Sequence, residues 1–490
     1  MMPVEGPAWS SPGLDIRAGR YPLSVERHVL RMADLLVPGV TTVTPHARYY
    51  ALHALIGTEA AARELDEYEA QDLLRRAEVA LAAVSYAHDH VTTGLPRAHG
   101  TDALARRLHS GEIDVAEASK PGPGGYVRNI WGFWNPYAAS EVDLRILSRA
   151  NMPVPGDYCD ATAVRSGLGD LLELARETRL VVSDLHDRGE LCVCSGGNAP
   201  DGRWLARLLC TKESNAAQSK SGSRQETIQL LTRVIQTHDI QAIVDDLIPV
   251  LAFGDFVMTD PATSELGITP VWRGVVLRNY AVGAWRRLWS WMVAQVDGLM
   301  PVADFTARFC DTFPDQPVGA FLDELPGTVT GTGAPAPAEV DLRASDRPLP
   351  VRELAVLAVN ARRVNELSGY VHDAFLGQPG VELGPEWMSH RLAEARSQSL
   401  RDFARRLAGD LLIRGQRVAL WKARRLADGR LWLPTRLHER GDLLFKTSQE
   451  GSGDVGLRLE QLTTVLAGAG VLQRAEDRWQ VTPAGEALLD

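Results

Sequence analysis

Residues 277–300, LRNYAVGAWRRLWSWMVAQVDGLM, constrain the fold more than any other stretch. Leu277, Tyr280, Trp285, Leu288, Trp289, Met292, Val296 and Leu299 fall on one wide stripe at helical spacing, with Arg278, Arg286 and Arg287 largely off it. Such a helix runs about 36 Å, and full burial of each large side chain is worth about 1.5–3 kcal/mol. It is read as the axis of a helical core.

Around this axis the chain reads as mainly α: a multi-helix body with a loop-rich central part and a C-terminal α+β winged-helix domain. Residues 1–24 read as an extended N-terminal segment and 25–324 as the helical body. Residues 325–350, LPGTVTGTGAPAPAEVDLRASDRPLP, read as a Pro/Gly/Ala-rich linker. Residues 351–440 form a helical region with a basic segment, and 441–490 the terminal module. Ser166 and Gly189 read as the cap and stop of one helix, and Ser223 with Glu226 as a capping box. At 490 residues several domains are expected. No run of apolar residues reaches membrane-spanning length, and the five cysteines do not suggest a disulfide framework. A cytoplasmic protein without membrane association follows, and its Ala/Arg/Leu bias points to a bacterial source.

Three groups of side chains offer chemistry. Cys192 and Cys194, with Cys210 downstream and Cys159 and His186 upstream, offer soft ligands for a structural zinc, or else are buried thiols. His88, Asp89, His90, His99 and Asp102 form a second metal-ligand pattern, although histidine is also favoured at a helix C-terminus. His46, Tyr49, Tyr50 and His53 share one helix face beside Arg48, suited to stacking on bases or to packing. No P-loop, nucleophile elbow or paired-histidine protease motif occurs, which leaves an enzyme without a named reaction.

The net charge of -10 argues against wholesale wrapping of nucleic acid. Residues 401–440 depart from it, with eleven Lys/Arg against four Asp/Glu. Arg414, Arg417, Lys422, Arg424, Arg425 and Arg430, interleaved with Trp421 and Trp432, make a candidate phosphate-contacting surface.

The terminal GVLQRAEDRWQVTPAGEALL, residues 470–489, reads as a hairpin turning at Glu476-Asp477, then a helix capped by Thr482 with Pro483 at its first position. With the preceding VGLRLEQLTTVLAGAGVL it resembles the winged-helix superfamily. Residues 441–490 carry four Lys/Arg against eight Asp/Glu, so docking on protein is expected of this module rather than reading DNA. LLVPGVTTVTPHARYYALHAL, RRAEVALAAVSYAHDH and LRLEQLTTVLAGAGVL resemble large, uncharacterised helical proteins of bacteria, some encoded near phage-defence genes. Together these features predict a non-catalytic component of a multiprotein nucleic-acid-directed system with protein partners. A DNA-binding regulator and a metal-dependent enzyme are the alternatives.

Overall fold

The computed structural model describes residues 21–88, 95–123, 125–211, 220–426 and 429–489. The chain is mainly helical, at 59% helix, with small antiparallel sheets. Among the described residues no helix is long and apolar enough to cross a membrane. Two compact units form, and neither is continuous in sequence: Met1–Met32, Pro249–Asp260 and Thr269–Val455 make the first, and Ala33–Ile248, Pro261–Ile268 and Gly456–Asp490 the second.

The first unit is built on the helix Thr269–Gln295, which begins earlier and ends sooner than its apolar stripe suggests. Leu299 lies beyond it, exposed. The helices Leu349–Arg362 and Gly369–Leu376 pack along it. Gly274 lets the second approach closely, since a Cβ there would stand 2.3 Å from the Val371 carbonyl oxygen. Trp272 and Trp285 are fully buried, and the Trp285 indole donates to the Leu383 carbonyl at 2.9 Å. Arg278 is also buried, which lowers its pKa to about 10.

Residues 325–350 are not a linker between domains. They lie inside the first unit and contain the helix Ala338–Arg343. Glu339 is buried and pairs with Arg363 through contacts of 2.7 and 2.6 Å. Arg363 also donates to the carbonyls of Thr328 at 3.0 Å and Ala336 at 2.7 Å. Pro and Gly rule out a long helix, but a non-helical backbone still packs when a buried guanidinium takes up its carbonyls.

The terminal module divides as well. The strand Leu443–Lys446 belongs to the first unit, where it pairs with Leu437–Arg440 and Met300–Pro301. Gly456–Asp490 belongs to the second. There the strands Leu472–Ala475 and Arg478–Val481 form the expected hairpin, and Glu476 and Asp477 both take positive φ at its turn. Thr482 Oγ1 accepts from Gly485 N at 2.9 Å, capping the helix Pro483–Leu489.

The second unit centres on the helix Ala47–Arg63, which is buried on nearly every side and carries Arg48, His53 and Glu59 among its buried residues. It contacts the helices Glu67–Ala87, Trp134–Asp143, Ala161–Arg176, Pro200–Cys210 and Leu459–Gly468. Asp66 and Glu69 form a reciprocal capping box at the start of Glu67–Ala87. Ser166 lies inside a helix capped instead by Asp160, and that helix ends at Arg176. The next residues pair as a strand, Arg179–Val181 against Glu112–Asp114. Ser223 and Glu226 are also internal, in the helix Lys220–Thr237.

The Arg363–Glu339 pair sets a test of this description. Replacing Arg363 by Met leaves a buried carboxylate without its counter-charge, and the expected loss is about 3–5 kcal/mol in denaturant unfolding. A loss below ~1 kcal/mol would show that residues 325–350 are not anchored as described.

Candidate metal centre

His88 follows the last turn of the helix Glu67–Ala87, its backbone N–H bonded to the Val84 carbonyl at 2.9 Å. Opposite it, the 3-10 run Val182–Leu191 leads into a tight turn over 192–195. Cys192 N donates to Gly189 O and Ser195 N to Cys192 O, each at 3.0 Å. Val193 N donates to Ser85 Oγ at 3.1 Å, tying the turn to the helix that ends at His88. Gly189 is a packing requirement rather than a helix stop, because a Cβ there would meet the His88 ring at 2.7 Å.

The result is a cluster of three donors, His88, Cys192 and Cys194, whose ligand atoms all lie within 4.8 Å of one another. Cys194 Sγ is 3.2 Å from Cys192 Sγ and 3.5 Å from His88 Nδ1. A tetrahedral zinc needs about 3.6 Å between sulfur and nitrogen and about 3.8 Å between sulfurs. The first edge is met, and the second needs the sulfurs to part by roughly half an ångström. The donor set suits a thiophilic cation. The Sγ–Sγ hydrogen bond with Cys192 lowers the Cys194 pKa against the effect of burial, helped by Ser195 and His88. The same contact, together with burial, pushes the Cys192 thiol up.

The structure therefore keeps Cys192 and Cys194 from the expected zinc set and replaces the rest. Cys159 is half-buried against Thr58, and His186 is exposed. Cys210 is buried at the end of the helix Pro200–Cys210, and burial lifts its thiol to about 12. None of these three joins the cluster among the described residues. Of the second ligand pattern, His88 joins the cysteines, Asp102 is exposed, and Asp89 and His90 lie outside the described residues. Sequence reading put His88 and the cysteines in separate groups, since nothing local shows that a helix end meets a turn a hundred residues later.

The face of His46, Arg48, Tyr49, Tyr50 and His53 is buried and closed to bases or phosphate. Arg48 donates to the carbonyls of Glu190 at 2.6 Å and Cys192 at 3.1 Å and pairs with buried Asp201 at 3.3 Å. It thus holds the cysteine turn from behind. His53 Nδ1 lies 2.6 Å from Glu141 and Nε2 3.7 Å from Glu78. Burial works against the charged ring, but Glu141 and Glu78 outweigh it and raise the pKa to about 9. His99 stacks on Phe133, and burial lowers its pKa to about 4.

The basic segment is partly committed elsewhere. Arg414 bonds the Leu23 carbonyl at 3.0 Å and Glu382 at 3.1 Å. Arg417 pairs with Glu382 at 2.9 Å, and Lys422 donates to the Tyr21 carbonyl at 2.8 Å. Arg424, Arg425 and Arg430 are exposed beside the small ladder of Arg424–Arg425 with Leu431–Trp432, and Trp421 is 68% exposed. In the terminal module Arg458 bonds the Val40 carbonyl at 2.9 Å and pairs with Asp34.

No family model matches this chain, and no curated protein or solved structure matches it.

His53 carries a pH signature. Its folded pKa of about 9 exceeds the ordinary 6.5, so its stabilisation is complete below pH 6.5 and lost as pH rises through 9. Unfolding free energy should fall by roughly 3 kcal/mol more across that window in the wild type than in His53→Gln. Parallel pH profiles for the two proteins would contradict the placement of His53 between two carboxylates.

Proposed function

We propose that this protein is a non-catalytic helical scaffold of a multiprotein nucleic-acid-directed system, held in its working form by zinc at His88, Cys192 and Cys194. The observation that carries the reading is the convergence of these three donors within 4.8 Å from segments far apart in sequence. Bound there, zinc would supply a rigid link between the end of one helix and the cysteine turn. That turn continues into Gly196 and Gly197, which abut Gly468 and Gly470 of the terminal module. The metal would thereby fix the part of the chain that resembles a winged helix.

Arg424, Arg425 and Arg430 with exposed Trp421 support a nucleic-acid contact, smaller than the six-residue surface read from sequence. The anti-phage context rests on sequence resemblance alone. The regulator alternative loses its only basic group on the candidate reading helix, because Arg458 is engaged by Asp34 and Val40. A metal-dependent enzyme remains the second reading. Three donors converge among the described residues, and a catalytic zinc keeps a fourth position for water or substrate.

Protein purified without chelator is expected to hold close to one zinc per chain. Chelation should lower the melting temperature by roughly 5–10 °C if the metal is structural, and far less if it is catalytic. Cys194→Ser should lose the metal, while Cys159→Ser and Cys210→Ser retain it. Metal-free protein, or a metal indifferent to Cys194→Ser, would end the zinc reading. Reversing Arg424, Arg425 and Arg430 to Glu should weaken duplex binding and flatten its salt dependence by about 0.9 per lost phosphate contact. Unchanged binding would remove this surface from consideration.

A further inference from the structure

The first unit contains a cavity of about 310 Å³ walled by Tyr21, Glu26, Arg286, Trp289, Arg436 and Glu450. Its volume lies at the lower end of ligand pockets, about 300–1,000 Å³. Glu26, immediately before the helix Arg27–Leu36, is only 1% exposed. No neighbouring side chain completes a hydrogen bond to either carboxylate oxygen. Arg286 stands 3.5 Å away as an ion pair, and its guanidinium lies over the Tyr21 ring. Burial raises the Glu26 pKa, against the pull of its own backbone N–H, Arg286 and Lys422. A buried carboxylate with unfilled acceptor sites is costly unless something supplies donors.

The wall chemistry limits what that can be. Arg286 beside Glu26, and Arg436 paired with Glu450, disfavour a metal ion, an amine or a guanidinium. What suits is a neutral group with two adjacent N–H donors. Tyr21 and Trp289 add flat aromatic surface, the kind on which heterocycles stack. On the same wall the Trp289 indole Nε1 is buried without a completed hydrogen bond, its pull falling on the Glu450 carboxylate. It and Arg286 can donate to an acceptor next to the two donors.

We propose that this cavity binds a guanine base, with the Glu26 carboxylate accepting from N1–H and the exocyclic amino group, and O6 facing Arg286 or Trp289. Among the common bases only guanine carries two neighbouring donors flanked by an acceptor on its pairing edge. Adenine and cytosine each set a ring-nitrogen acceptor against the carboxylate, and uracil flanks its single donor with carbonyls. The site is independent of the zinc reading.

The full-length protein should be titrated calorimetrically with guanosine, inosine and adenosine. Guanosine is expected to bind saturably. Inosine, which lacks the exocyclic amino group, should bind at least tenfold more weakly, and adenosine should not bind measurably. Glu26→Gln should weaken guanosine at least tenfold. The nucleoside comparison uses wild-type protein and decides the matter even if that variant does not fold. A guanine-containing single-stranded oligonucleotide, run beside GMP, distinguishes a nucleic-acid base from a free nucleotide. No guanosine binding at millimolar concentration, equal binding of inosine, or a folded Glu26→Gln protein with unchanged affinity would overturn the proposal.

Discussion

The buried Arg48 guanidinium is the interaction on which the second unit depends. It leaves the central helix Ala47–Arg63 and takes up the carbonyls of Glu190 and Cys192, with Asp201 as its counter-charge. One side chain thus joins the helix hub, the cysteine turn and the first turn of the helix Pro200–Cys210. Burial keeps Asp201 above its ordinary pKa even beside Arg48. Lysine could not replace the planar fork that reaches two carbonyls and a carboxylate together. The surrounding backbone is adapted to it. A Cβ on Gly167 would stand 2.1 Å from Asp201, and one on Gly202 would stand 2.0 Å from the Gly196 carbonyl oxygen.

The same turn explains why the terminal residues belong to the body of the second unit. Gly197 and Gly470 meet backbone to backbone, so that a Cβ on Gly470 would lie 2.8 Å from Gly197 Cα. The hairpin is engaged too, since Trp479 N donates to the Ile240 carbonyl at 2.9 Å and Arg478 pairs with Asp239 at 3.2 Å. The helix Leu459–Gly468 spends its apolar face on the helix Ala47–Arg63. Acidic residues at the hairpin tip are therefore compatible with a module that packs at home.

Local signals carried the parts of the fold that are locally determined. The Trp-rich axis, the hairpin turn at Glu476-Asp477 and the Thr482 cap were legible, because helical periodicity, turn preference and capping act within a few residues. The unit boundaries were not legible. Glu339 looks like a linker residue until Arg363 is brought to it, and the chain enters each unit more than once. The three-donor cluster was half legible. A Cys-x-Cys pair is visible as text, whereas His88 is joined to it only by the packing of Gly189 and by Ser85 holding Val193. Arg48 was read beside a face suited to stacking on bases or to packing, and it serves buried carbonyls, since sequence shows a charge but not its burial.

Whether His88, Cys192 and Cys194 together hold one zinc, as proposed, is tested most directly by X-ray absorption at the zinc edge of the full-length protein. Two sulfurs at about 2.3 Å and at least one nitrogen at about 2.0 Å are expected around the zinc, with the sulfur contribution falling on Cys194→Ser. A zinc shell of oxygen and nitrogen alone, or a protein that takes up no zinc, would contradict the proposal.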